Sequence, residues 1–268
     1  MTNTLNKLAI IMSLLIAGAA VAGQNLKTHK ALPYVLEKLR SHHIVLMGTI
    51  HQKPQILELT AQLLPLISAT GVTHLAIEVS SDQQSNIDRF IQNGTNLMDI
   101  RLHDSIDCAQ YRRLFTVVRE LPPHQRPHIV AIDLPPSQYR GPIGRDAYMA
   151  KALSDMFQTR TDRKVLVILG SLHVLKKLDW LPRITDRQPS IRSLLEQRLP
   201  TLKMFSLVHL VRNGTDASGD IRNLVDPEQG ATAMDLDERV TGWRLGLTDC
   251  LAVRPSQAHE LVDGVIVH

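Results

Sequence analysis

Apolar residues in this chain gather into short runs, and the stretches between them carry helical spacing. HIVLM at 43–47, HLAIEVS at 74–80, HIVAIDLP at 128–135 and KVLVIL at 164–169 are nearly continuous and rich in Val, Ile and Leu. That is the pattern of strands buried on both faces, and it predicts strands over about 43–50, 74–80, 128–134 and 164–169. Two further strands are predicted, KMFSLVHLV at 203–211 and DGVIVH at 263–268. Pro54 opens a helix in which Ile56, Leu57, Leu59, Leu63, Leu64 and Ile67 share a face up to Gly71. Asp82 is the expected cap of a helix carrying Ile87, Phe90 and Ile91, which stops near Asn93-Gly94. Helices are also predicted from Cys108 to Leu121, over 145–157 after a Pro- and Gly-rich loop at 136–144, and from Ser190 to Arg198. Strands alternating with helices on short connectors predict a single α/β domain, a largely parallel central sheet with helices on both faces. Residues 212–242 lack periodicity and read as a long loop or insertion.

The amino terminus breaks this pattern. Lys7, the apolar LAIIMSLLIAGAAV and Ala20-Val21-Ala22 before Gly23 have the form of a signal peptide over 1–22, leaving the α/β domain at 23–268. The apolar stretch is short for a membrane span and no second one follows, so the expectation is a periplasmic or secreted protein with no stable span after cleavage. Removal of Lys7 lowers the formal charge of +4 by one, and the bases left are interspersed with acids. With only 4% aromatic residues and no basic stripe, nucleic acid is not an expected partner. Cys108 and Cys250 form either one disulfide, in keeping with an oxidising compartment, or two free thiols.

Candidate chemistry collects where the predicted strands end. Gly48-Thr49-Ile50-His51 follows the first run and Gly170-Ser171-Leu172-His173 follows the fourth. With 14 Gly and 12 His in the chain, chance supplies about 0.6 Gly-x-x-His tetrapeptides, and a third copy, Gly71 to His74, enters a strand instead of leaving one. The strand-end position therefore carries the argument, because open α/β sheets build their sites at strand carboxyl ends. Glu78 and Asp133 close two neighbouring runs. His51, His173, Glu78 and Asp133 together suit a divalent transition metal such as Mn, Co or Zn, with one carboxylate left to take a proton from bound water. The plainer roles are an arginine-paired carboxylate for Glu78 and a chain-turning cap for Asp133 before Pro135-Pro136. Thr49 and Ser171 read as loop supports, and Ser171 lacks the Gly-x-Ser-x-Gly elbow of a hydrolase nucleophile. Arg145 and Asp146 open a helix, where Asp146 is favoured by the helix dipole. His103 sits in a polar loop able to fold over the site, and His209 and His268 read as surface or edge residues.

GTIH at 48–51, IEVS around Glu78, AIDLP around Asp133, RDAYMAKAL from Arg145 and LGSLHV at 169–174 follow one another in an order that resembles the Tiki/TraB and ChaN-like superfamily, which includes erythromycin esterase-like proteins. The resemblance spans about 43–210. It implies two functions. One is metal-dependent hydrolysis of a peptide or ester bond in a small-molecule or peptide substrate, with His51, Glu78 and His173 catalytic and Arg145 and Asp146 in support. The other, from the ChaN-type branch, is haem binding for iron uptake without catalysis. On that reading Arg145, Asp146 and Tyr148 line the cofactor, and Tyr148 or Tyr139 is the kind of ligand to test. Thr49 stands where ChaN-type motifs carry an acid, and the cysteine of a lipoprotein is missing, which brings the first motif nearer the TraB-like form.

Overall fold

The computed structural model describes residues 27–181, 188–211, 221, 230–240, 242–245 and 256–268. These form one eight-stranded sheet. The strands are β1 (His29–Lys30), β2 (Ile44–Thr49), β3 (His74–Ser80), β4 (His128–Asp133), β5 (Val165–Gly170), β6 (Met204–Leu210), β7 (Thr232–Asp235) and β8 (Gly264–Val267). Their order across the sheet is β1-β7-β8-β6-β2-β5-β3-β4. From β8 to β4 all neighbours are parallel, while β7 and β1 add an antiparallel margin. The helices are α1 (Ala31–Ser41), α2 (Pro54–Leu63), α3 (Gln84–Asn93), α4 (Ala109–Glu120), α5 (Arg145–Asp155), α6 (Ile191–Arg198) and α7 (Ala258–Leu261). No helix among the described residues is long and apolar enough to cross a membrane.

Alternation along each strand sorts the core into two layers. Val45, Met47, Leu75, Ile77, Leu166 and Ile168 pack with α1 to α4 on one face. Ile44, Leu46, Ala76, Val165, Val167 and Leu169 pack with α5, α6 and α7 on the other. Both faces of the parallel strands are therefore covered, as their nearly continuous apolar runs require.

The structure departs from the sequence reading at several places. The helix from Pro54 does not run to Gly71. It gives way at Leu63 to a 3-10 segment over Leu64–Thr70, because Pro65 offers no N–H to continue the α pattern. Asp82 does not cap α3: it lies in a 3-10 turn, Ser81–Gln83, and its carboxylate accepts from Gln83 Nε2 at 3.0 Å. β7 emerges from within the segment read as a loop at 212–242, much of which lies outside the described residues. His209 is fully buried in β6, with its Nδ1 2.7 Å from His268 Nε2. Residues 1–22 and Cys250 fall outside the described residues; Cys108 is a free thiol among them.

Candidate active site

Four adjacent strands, β2, β5, β3 and β4, end at one rim, and the residues singled out in the sequence are found there. Register fixes the arrangement: Thr49 pairs with Gly170, and Ser80 pairs with Asp133. Between Ile77 and Ser80 the β3–β4 register shifts by one residue, so β3 bulges where it carries Glu78. Such bulges re-aim side chains beside functional sites.

Gly48 is required by packing. A Cβ there would lie 2.6 Å from Val174 Cγ2 and 2.9 Å from Ser171 Cα. Its absence lets the 3-10 turn Ser171–Val174 rest on β2 and brings His173 over the sheet. Thr49 Oγ1 donates to Leu169 O at 3.1 Å, and Ser171 Oγ donates to Thr49 O at 3.0 Å, so both hydroxyls brace the turns as expected.

Arg145, at the first turn of α5, is the hub. Its Nε and Nη2 each donate to Asp133 at 2.7 Å, and Nη2 also donates to Glu78 Oε1 at 2.6 Å. Glu78 Oε2 accepts from the Gly170 N–H at 2.6 Å. His173 lies with Nε2 3.6 Å from Glu78 Oε1. Its Nδ1 is 2.8 Å from Asp146 Oδ1, close enough for an ion pair but off the line of a straight hydrogen bond. The side chains of Glu78 and Asp133 are only 6% exposed. Burial by itself would raise the Glu78 carboxyl, but hydrogen bonding and charge from His173, then Arg145 and the Gly170 N–H, outweigh it and hold the group at about 2. Burial likewise disfavours a charged His173, yet Asp146 and Glu78 prevail and lift it to about 9. Three carboxylates and two cations thus share the rim, leaving the cluster with a net charge of about −1.

His51 stands apart from this network. It is exposed, and no hydrogen bond ties its ring to the described residues. It is followed by Gln52, whose φ of 55° is the only positive value at a non-glycine among them. Strain of this kind concentrates at functional sites. Gln52 Nε2 donates to Asp104 O at 2.9 Å, tying the turn that carries His51 to the loop that carries His103. Gly170 lies between His51 and Glu78. A point where its Cβ would stand is 3.5 Å from His51 Nε2 and 3.5 Å from Glu78 Oε2. A cleft of about 410 Å³ opens beside the network, lined by Glu78, Ser80, Asp133, Arg101, His103 and Tyr139 among others.

The donor set does not fit a metal ion. Arg145 already occupies the place a cation would take among Glu78, Asp133 and His173. No group of three or more His, Cys, Asp or Glu residues able to hold a metal occurs among the described residues. The expected haem contacts are also committed elsewhere: Arg145 to carboxylates, Asp146 to His173, and Tyr148 Oη to Ser81 Oγ at 2.8 Å. Tyr139, in contrast, is 52% exposed at the mouth of the cleft. Sequence reasoning named every member of the network, Arg145 included as a supporting residue, but not its place as the hub, because ion pairing between strand ends and a helix start leaves no periodic signal.

No family model matches the chain, and no curated protein matches it by sequence. Solved structures do match. A variant of the erythromycin esterase EreC in its open conformation superposes with a TM-score of 0.67 at 10% identity, covering 91% of this chain and 97% of that one. The ChaN protein of Campylobacter jejuni, in a structure of cofacial haem binding, gives 0.52 at 14% identity over 87% of this chain and 90% of its own. A protein from Bacillus cereus gives 0.58 at 12% identity, with 87% and 90% covered. The described chain therefore has the fold shared by these ChaN-like and erythromycin esterase-like structures.

Proposed function

We propose that the protein is an exported hydrolase of ester bonds that activates water with His51 and has no resident metal. The observation that carries this reading is that His51 Nε2 and Glu78 Oε2 face each other across Gly170, each 3.5 Å from the point that a Cβ on this glycine would reach. A water molecule bridging the two, outside van der Waals contact with Gly170 Cα, touches a solvent-facing imidazole on one side and an ionised carboxylate on the other. His51 takes a proton from the water as its oxygen attacks the ester carbonyl carbon, while Glu78 orients the second hydrogen. The tetrahedral oxyanion faces Arg145, whose Nη1 lies 3.5 Å from His173 Nε2 and has no acceptor there while His173 is protonated. Collapse breaks the bond to the leaving alkoxide, which takes the proton back from His51 and departs as an alcohol beside the carboxylic acid. A peptide bond can follow the same course, but its amine leaves less readily. The cleft sets charged and hydroxyl-bearing side chains such as Arg101, Asp82 and Ser137 beside the apolar surface of Leu102, Pro136 and Tyr139, which suits an ester with both oxygen-rich and apolar parts.

The test is a panel of chromogenic esters and peptides with and without EDTA. Turnover that survives EDTA and falls about 100-fold or more in both His51→Ala and Gly170→Ala is the expected result. Gly170→Ala is the sharper variant, since its Cβ would make only ordinary contacts at 3.4 to 3.5 Å and the fold should be kept while the water is displaced. Hydrolysis at wild-type rate in both variants, or loss of all turnover on chelation, would sink the proposal.

A second reading, haem binding without catalysis, is favoured by Tyr139 and Ile143, two large side chains left 52% and 49% exposed on the loop before α5. They offer an oxygen ligand and an apolar surface for a porphyrin face. A haemin titration whose Soret band depends on Tyr139, combined with no ester turnover, would put this reading first.

A further inference from the structure

β4 is the last strand of the sheet on its side, and strands so placed expose backbone groups that can pair with another chain. His128 N–H donates to Thr73 O at 2.9 Å, toward β3. The alternating residues Ile129 and Ala131 therefore turn their backbone groups outward. Both are met by a single side chain. Gln84 Nε2 donates to Ile129 O at 2.9 Å, and Gln84 Oε1 accepts from Ala131 N at 2.8 Å. The carboxamide presents one donor and one acceptor at the spacing of a peptide group, and so stands in for a residue of a ninth strand. Gln84 is held in that pose at the first position of α3, where its Nε2 also donates to Asp88 Oδ1 at 2.9 Å. The opposite margin needs no such device, because β1 is two residues long.

We infer that Gln84 is an edge plug, and that the surface it seals is a self-association site for the β4 strand of a second copy of this chain. The occupant follows from the strand itself. Ile129-Val130-Ala131-Ile132 is apolar, free of charge, largely β-branched and without proline, the composition that pairs with its own kind once an edge is open. The inference does not depend on the proposed hydrolase chemistry.

Two variants separate the edge from mere loss of stability. Gln84→Ala removes both backbone hydrogen bonds and leaves the edge bare. Gln84→Lys also removes them but sets a charge on the edge, which deters strand pairing. Light scattering across a concentration series should show Gln84→Ala moving to a dimer or larger assembly than the wild type while Gln84→Lys does not. Amide exchange at Ala131 should be faster in Gln84→Lys than in the wild type. Gln84→Ala keeping the wild-type mass at all concentrations would overturn the inference. Equal association of both variants would overturn it too, because it would trace assembly to destabilisation and not to the open edge.

Discussion

Arg145 is the counterion of the buried Asp133 and shares the buried Glu78 with His173, so its removal should be felt by the whole fold. Arg145→Ala should cost roughly 2–4 kcal/mol in denaturant unfolding, somewhat below the usual cost of breaking a buried pair because 39% of its side chain remains in water. Two titrations follow from the same cluster. Glu78 is held at about 2 in the fold against an ordinary 4.5, so its contribution is present above pH 4.5 and is lost as pH falls toward 2. His173 is held at about 9 against an ordinary 6.5, so its contribution is complete below pH 6.5 and is lost as pH rises through 9. Melting temperature should therefore be highest between about pH 4.5 and 6.5, and His173→Asn should flatten the alkaline limb and also shorten the acid one, because His173 is the foremost of the groups that hold Glu78 down. An unchanged alkaline limb in that variant would contradict the charge assigned to His173. These residues were legible in the sequence as strand-end chemistry, and so was the arginine pairing of Glu78, but the charge on His173 was not. The pattern that suggested a metal ligand at His173 cannot distinguish a lone pair from a shared proton, because Asp146 approaches it only once α5 is docked.

At the scale of elements, strand ends were legible because long β-branched runs terminate at Gly48, Asp133 and Gly170. α1 was not predicted. Its buried positions Ala31, Tyr34, Val35, Lys38 and Leu39 follow helical spacing, but Pro33 reads as a breaker. In the structure that proline occupies the first turn, where its missing N–H removes no helical bond. β7 escaped notice because four residues are too few to show alternation among the Gly and Asp around it. The Gly48 contact gives this scale its own prediction. Gly48→Ala drives a Cβ to 2.9 Å from the Ser171 backbone, which cannot swing aside as a side-chain tip can. It should cost about 1–3 kcal/mol in stability and disorder the turn that carries His173, detectable as a lower melting temperature together with lost turnover. Gly170→Ala should leave the melting temperature near wild type, so the two glycines of similar tetrapeptides are expected to fail in different ways.

For the molecule as a whole, the α/β class, its parallel centre and its helix-covered faces were readable from the alternation of runs, whereas the order of strands was not. Neighbourhood in the sheet depends on which crossover passes where, and local patterns do not record it. That order has a bearing on how the protein comes to exist. β5 lies between β2 and β3, and so joins the half containing β3 and β4 to the half containing β2, β6 and β8. Until it threads into that slot, Glu78 has neither the Gly170 N–H nor His173 beside it, and His51 has no floor beneath it. The contacts that close the slot join residues about a hundred positions apart, the kind that form late on a folding route. A partly folded chain can hold both halves of its core and still be inert, so recovery of activity after dilution from denaturant is a clock for the final insertion of one strand.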